Sequence, residues 1–374
     1  MNPRLAGIEP SLIRAIASKK KPGAIDLGLG EPTLLPQQRF IDAAARWASE
    51  FGVKYTANAG DAALREAIAA RYRYPGMDAA RNVCVTNGSQ EAVYVTIKTL
   101  LDPAQDALLV VEPAYPAYGK IAQLEGIAVQ TVGMRGSDGF GYDVDAILAA
   151  LTPATRLIVI ASPSNPTGAV LRRADAARLA SALGARGGAP VWVLFDELYR
   201  ELTYVDDPGE FARIYPYTVA VNGLSKSNAL TGMRIGWTIA PAPLCDELVK
   251  VHAWATSTAS TFSQRVALEV FREPGAIEEQ AAWYRAQRAA VLPVLRESGL
   301  AFVEPDGAFY ACVRLPRGGD SLAAALKLVE EYDVVAIPGR TFGAELEGWL
   351  RLSWVAPVDD LREGLARIAR AVLV

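Results

Sequence analysis

From about residue 60 to 240, short apolar runs alternate with stretches in which apolar residues recur every three or four positions. The runs 83–86, 107–111, 157–161, 191–195 and 218–221 have almost no polar alternation, so each predicts a strand buried on both faces. Helices fit between them. Segment 61–71 places Leu64 and Ile68 one turn apart behind an Asp cap, and 174–183 is an alanine-rich helix. This order predicts an α/β fold whose mostly parallel sheet is sandwiched by helices. Segment 232–239 alternates instead, with Met233, Ile235, Trp237 and Ile239 on one face of a further strand and Arg234 on the other. Beyond it, 277–298 reads as a long helix in which Pro293 predicts a kink or break. Segments 301–315, 334–337 and 349–355 then predict strands of a smaller α+β domain.

Conspicuous polar residues stand just after the five buried strands. They are Asn87-Gly88-Ser89-Gln90, Glu112-Pro113-Ala114-Tyr115, the turn from Ser162 to Gly168 with Asn165 between two prolines, Asp196-Glu197-Leu198-Tyr199, and Ser225-Lys226. Ligands of open α/β sheets bind outside the carboxyl ends of the strands, so these loops are expected to line one crevice. Gly88-Ser89-Gln90 opens a helix whose free amides suit a phosphate, or it is a bare helix start. Asp196 closes a buried strand and needs a cation, which a protonated ring nitrogen or Arg200 would supply. Tyr199 shares the face of Asp196 if a helix begins there. Asn165 offers an amide donor unless its turn is only a turn, and Tyr115 offers a ring for stacking unless it is simply packed. Lys226, desolvated and eight residues from Arg234, suits a Schiff base because a neighbouring cation and burial lower an ammonium pKa from about 10.4. A surface lysine and an arginine paired with a carboxylate are the plainer alternatives. A ligand that meets all these groups has a phosphate, a carbonyl, a basic ring nitrogen, a ring hydroxyl and a flat face, which describes pyridoxal 5′-phosphate.

Composition narrows the setting. The chain has 374 residues, is 51% hydrophobic and 21% charged, which is enough for one large unit and a smaller one without covalent staples. Cys84, Cys245 and Cys312 are far apart and His252 is the only histidine, so a reducing cytoplasm is expected and no metal site. No apolar run approaches the roughly 20 residues of a membrane span. The net charge is −3 and the basic residues are scattered, which argues against a nucleic-acid surface. Nine lysines against twenty-nine arginines leave few candidates for a Schiff base.

The segments IDLGLGEP around Gly30, Tyr55 with Gly60 and Leu64-Arg65, TNGSQEA, EPAYPAY, SPSNPTG, DELY, SK…GMRIG and LRLSW occur in this order along the chain. Together they resemble the class I/II pyridoxal-phosphate aminotransferases over essentially the whole length. The resemblance implies a seven-stranded sheet in a large cofactor-binding domain, 40–275, and a small domain made of 1–39 and 276–374. It further implies that Lys226 forms the Schiff base and shuttles a proton, that Asp196 keeps the pyridine nitrogen protonated, and that Asn165 and Tyr199 bond the ring oxygen under a stacked Tyr115. Ser225, Arg234 and the amides of Gly88, Ser89 and Gln90 would hold the phosphate, with Tyr55 reaching it from a second subunit of a homodimer. Arg351 would grip the carboxylate of the amino-acid or 2-oxo-acid substrate beside Gly30. By strand alternation alone, Arg351 points away from the packed face of Leu350, Leu352 and Trp354, and an exposed arginine is the simpler expectation.

Two departures from the pattern stand out. Gly223 occupies a position where many relatives have serine, which predicts a phosphate site short of one hydroxyl. Gln90 stands where prokaryotic aspartate-type relatives often carry lysine, which argues against an aspartate preference. A carbon-sulfur β-lyase of the same fold is the alternative activity, since the cofactor contacts are largely shared.

Overall fold

The computed structural model describes residues 3–74 and 76–373; Met1, Asn2 and Val374, at the outer limits of the expected small domain, lie outside them. The strands are β1 (Ile25–Asp26), β2 (Val83–Thr86), β3 (Ala107–Glu112), β4 (Ala128–Gly133), β5 (Thr155–Ala161), β6 (Trp192–Asp196), β7 (Thr218–Gly223), β8 (Gly236–Ile239), β9 (Phe302–Val303), β10 (Tyr310–Arg314), β11 (Val334–Val335), β12 (Ile337–Pro338) and β13 (Trp349–Ser353). Seven of them form one sheet in the order β2-β8-β7-β6-β5-β3-β4. Only β8 runs against the rest, pairing antiparallel with both β2 and β7.

Burial on both faces explains the unbroken apolar runs. Leu157 and Val159 of β5 pack in one core with Leu108, Val110, Leu194 and Val219, while Ile158 and Ile160 pack in another with Leu109, Val193 and Phe195. Each residue along such a strand therefore meets a helix layer. The helix Ala62–Tyr72 is capped by Asp61, whose carboxylate accepts from Leu64 N at 3.0 Å. It buries Leu64, Ile68 and Tyr72 against Val83 and Val85 of β2.

A second, four-stranded sheet in the order β12-β13-β10-β9 carries Arg351 at the middle of β13. Behind it the helix Ala276–Glu297 runs on through Pro293, so the expected break does not occur. Its Tyr284, Val291, Leu292, Val294 and Leu295 are buried in the same core as β10 and β13, and that packing outweighs the bond that proline cannot donate. Segments 301–315 and 334–337 each divide into two strands; in the latter β11 pairs parallel with β1 while β12 joins β13. The sequence pattern missed β4, a partly exposed edge strand.

Segment 232–239 differs from expectation at its start. Residues Thr231–Met233 form a 3-10 turn, Arg234 is left-handed with φ of 52°, and the strand begins only at Gly236. Ile235 and Trp237 still enter one core, with Met233 packed against it, which is the source of the alternation. Arg234 is thus a turn residue at the mouth of the sheet and not a side chain projecting from a strand.

Candidate active site

The carboxyl ends of β2, β3, β5, β6 and β7 lie at one edge of the sheet because these strands are parallel. Antiparallel β8 enters at that same edge, with Gly236 opposite both Thr86 and Gly223. A cavity of about 520 Å³ opens there, lined by Gly30, Ser89, Gln90, Tyr115, Asn165, Asp196, Tyr199, Ser225, Lys226, Arg234 and Arg351. These eleven residues come from seven separate stretches of chain. Gly88 stands behind the wall and Tyr55 does not join it; Tyr55 is 89% exposed in the single chain.

Gly88 caps the helix Ser89–Leu100 with φ of 84°, a conformation that favours glycine. A β-carbon there would sit 2.5 Å from Nη2 of Arg234, so the guanidinium lies directly against the helix opening. Free amides, the positive end of the helix dipole and a cation converge on one spot, a combination suited to a phosphate. Arg234 Nη1 donates to the Thr231 carbonyl at 2.9 Å and makes no ion pair among the described residues. Ser225 is buried on the same cavity.

Asp196 is 8% exposed. It accepts from the Tyr118 hydroxyl at 2.7 Å and from Leu198 N at 3.0 Å, and no cation pairs with it among the described residues. Arg200, the alternative partner, bonds Glu197 at 3.2 Å and Glu210 at 2.6 Å instead. Burial raises the Asp196 carboxyl above its ordinary range, while Tyr118 and the Leu198 amide pull it back. A buried carboxylate with two donors and no countercharge fits a protonated ring nitrogen.

Lys226 is half-buried, and its Nζ donates to the Gly30 carbonyl at 2.5 Å. Its own carbonyl accepts from the Tyr284 hydroxyl at 2.6 Å, which fixes the backbone of the loop. Burial lowers the ammonium to about 8, with Arg351 and Arg234 adding to the effect and Glu31 opposing it. The surface-lysine alternative is therefore set aside.

Arg351 is 1% exposed, against the expectation from strand alternation. Alternation fixed which face it occupies but not what covers that face. The rings of Tyr310 and Phe342 do so, at 4.5 and 5.0 Å from the guanidinium carbon. Nη1 donates to Asn165 Oδ1 at 3.2 Å, Nη2 donates to the Gly28 carbonyl, and Nε has no partner among the described residues. A desolvated guanidinium with no carboxylate is fitted to a ligand anion.

Tyr199 does not open an α-helix; it precedes a short 3-10 turn, and its hydroxyl shares a 2.7 Å hydrogen bond with that of Tyr310. Tyr115 donates to Gln90 Oε1 at 3.2 Å and meets Tyr118 edge-on. Sequence reasoning missed Tyr118, Tyr310 and Arg14. Tyr118 had a signal, its place in the same segment after β3 as Tyr115; Tyr310, inside an apolar strand, had none.

Gly223 gives no support to a missing phosphate hydroxyl. A β-carbon at this position would lie 2.6 Å from the carbonyl oxygen of Ile235, just ahead of β8, and Gly223 does not line the cavity. Gly223→Ser is expected to destabilise the protein by about 1–3 kcal/mol without improving cofactor affinity. Denaturant midpoints and cofactor titration check both.

The family model "Aminotransferase class I and II" matches residues 22–368. The chain belongs to this family. A probable N-acetyl-LL-diaminopimelate aminotransferase of Bacillus subtilis is 35% identical, covering 100% of this chain and 96% of the relative. An aspartate aminotransferase of Pyrococcus horikoshii is 31% identical over 99% and 96% of the two chains. Among solved structures, an aspartate aminotransferase from Thermotoga maritima superposes with a TM-score of 0.90 at 29% identity, covering 99% of each chain. The protein is an aminotransferase, and its relatives do not favour the β-lyase alternative. No helix among the described residues is long and apolar enough to cross a membrane.

Proposed function

We propose that this aminotransferase binds pyridoxal 5′-phosphate in the cavity and moves an α-amino group from an amino acid to a 2-oxo acid in a ping-pong cycle. The observation that carries the proposal is Asp196, a buried carboxylate without a cation, on the same cavity as a lysine of lowered basicity. Bound there, the cofactor supplies an aldehyde for the amino group and a ring that accepts the electron pair left on Cα.

The side chains divide the remaining work. Ser225, Arg234 and the amides of Gly88, Ser89 and Gln90 bind the phosphate, and Asp196 holds the proton on the ring nitrogen. Asn165 and Tyr199 donate to the ring oxygen, and Tyr115 stacks on the ring face. Lys226 would hold the cofactor's aldehyde carbon between turnovers and would move the proton at the substrate Cα. Arg351 holds the α-carboxylate with two parallel donors, while Gly30 leaves room for the substrate to pass.

The proposal extends to assembly and setting. The protein is a cytoplasmic homodimer in which Tyr55 of one subunit reaches the phosphate of the other; its 89% exposure supports this. Residues 40–275 form the cofactor domain, and 1–39 with 276–374 the small one. In support, Ile16 and Leu27 pack in the same core as β10, β13 and the C-terminal helix Val358–Leu373.

A panel of amino acids against 2-oxoglutarate and pyruvate tests the activity. Amino transfer with parallel double-reciprocal lines is expected. Pyruvate and ammonia from cystathionine alone, without added oxo acid, would overturn it.

The rate of cofactor attachment to the apoprotein is expected to depend on pH through Lys226. Only the neutral amine attacks an aldehyde, and its pKa lies near 8. The rate should rise about tenfold per pH unit below that value and level off above it. A rate still climbing steeply to pH 10 would mean that the lysine keeps its ordinary basicity.

A further inference from the structure

Four cationic side chains line the cavity, Arg14, Lys226, Arg234 and Arg351, against two carboxylates, Glu31 and Asp196. On the functional reading above, Lys226 meets the aldehyde, Arg234 the phosphate and Arg351 the α-carboxylate. Arg14 is left over. It stands exposed on the N-terminal helix Leu12–Ala17, where its carbonyl accepts from Ser18 N, and its guanidinium makes no hydrogen bond or ion pair among the described residues. Glu31, which lines the same cavity, accepts from the Thr231 hydroxyl at 2.5 Å. Burial raises the Tyr115 hydroxyl pKa, and the positive charge of Arg14 opposes that rise. That hydroxyl is bonded to Gln90 Oε1, which leaves the Gln90 amide nitrogen as a donor on the same wall. Ile13 and Leu29 add apolar surface to the lining.

We propose that Arg14, assisted by the Gln90 amide, is the specificity-determining residue that receives a second carboxylate at the end of the substrate side chain, so that the cavity selects dicarboxylic amino and 2-oxo acids. The inference rests on the placement of the α-carboxylate at Arg351. A planar guanidinium on the cavity wall is matched by an anion with two acceptor oxygens, and the apolar surface suits the methylenes between the two carboxylates. The cation absent at position 90 is thereby supplied from a different element, and an acidic substrate becomes compatible with glutamine there.

The test uses cofactor-loaded protein and two unreactive acids of equal chain length, glutarate and pentanoate, with binding read by calorimetry at pH 7.5. Wild type should bind glutarate at least tenfold more tightly than pentanoate. Arg14→Gln should abolish that preference while leaving pentanoate affinity unchanged, and Arg14→Lys should restore part of it. In steady state the same Gln variant should lower kcat/KM at least tenfold for L-glutamate and leave L-norvaline unaffected. An unchanged glutarate-to-pentanoate ratio in Arg14→Gln overturns the proposal. Arg351→Gln should weaken both acids alike; if it weakens neither, the reading of the α-carboxylate site fails, while the Arg14 ratio still decides the second carboxylate.

Discussion

Lys226→Ala is expected to lower the transamination rate by at least about four orders of magnitude, because one side chain serves as both nucleophile and proton carrier. The long-wavelength absorbance of lysine-bound cofactor should vanish in the same variant. The fold should survive the change. The lysine backbone is held through its carbonyl by Tyr284, and the side chain's one hydrogen bond among the described residues is to the Gly30 carbonyl. Alanine leaves the first of these in place. Cofactor should still be retained through Arg234, Ser225 and the helix opening at Gly88, though more weakly and without a covalent link. Single-turnover absorbance changes with an amino donor measure the loss, and added methylamine should recover a small part of the rate by replacing the missing amine. A variant that keeps most of its activity would remove Lys226 from the chemistry.

The buried parallel strands were legible because both of their faces are covered, which leaves an unbroken apolar run in the sequence. The same rule hides the edges. β4 exposes part of each face and carries Gln130 and Thr131, so its pattern resembles a loop. Arg234 was misplaced for a related reason: Ile235 and Trp237 enter one core, and an alternation of apolar side chains does not reveal that the backbone between them leaves the strand with positive φ. Site residues that follow strands could be read from position alone, since parallel strands deliver their exits to one edge. Tyr310 and Arg14 could not. They come from the second sheet and the N-terminal helix, and only the packing of those elements over the sheet edge brings them to the cavity. The burial of Arg351 has the same origin, in rings contributed by Tyr310 and Phe342.

Arg351→Ala should separate substrate binding from cofactor binding. Truncating one partner of a buried charged pair costs about 2–5 kcal/mol, or roughly 30-fold to several thousand-fold in kcat/KM. The loss should fall on every amino and 2-oxo acid alike, since all carry the carboxylate that this residue meets, and mainly on KM if the contact is as strong before the transition state as in it. Cofactor affinity should change little, because no role at the phosphate or ring falls to this arginine. Two structural bonds are lost as well, to Asn165 and to the Gly28 carbonyl, so some loosening of the N-terminal segment is expected. Arg351→Lys distinguishes that effect from recognition: it keeps the charge but not the planar fork, and should recover less than a tenth of the lost kcat/KM. Cofactor titration of both variants beside steady-state kinetics makes the comparison. Equal loss of cofactor and substrate affinity would make the arginine a structural residue of the cleft and leave the α-carboxylate without a receptor.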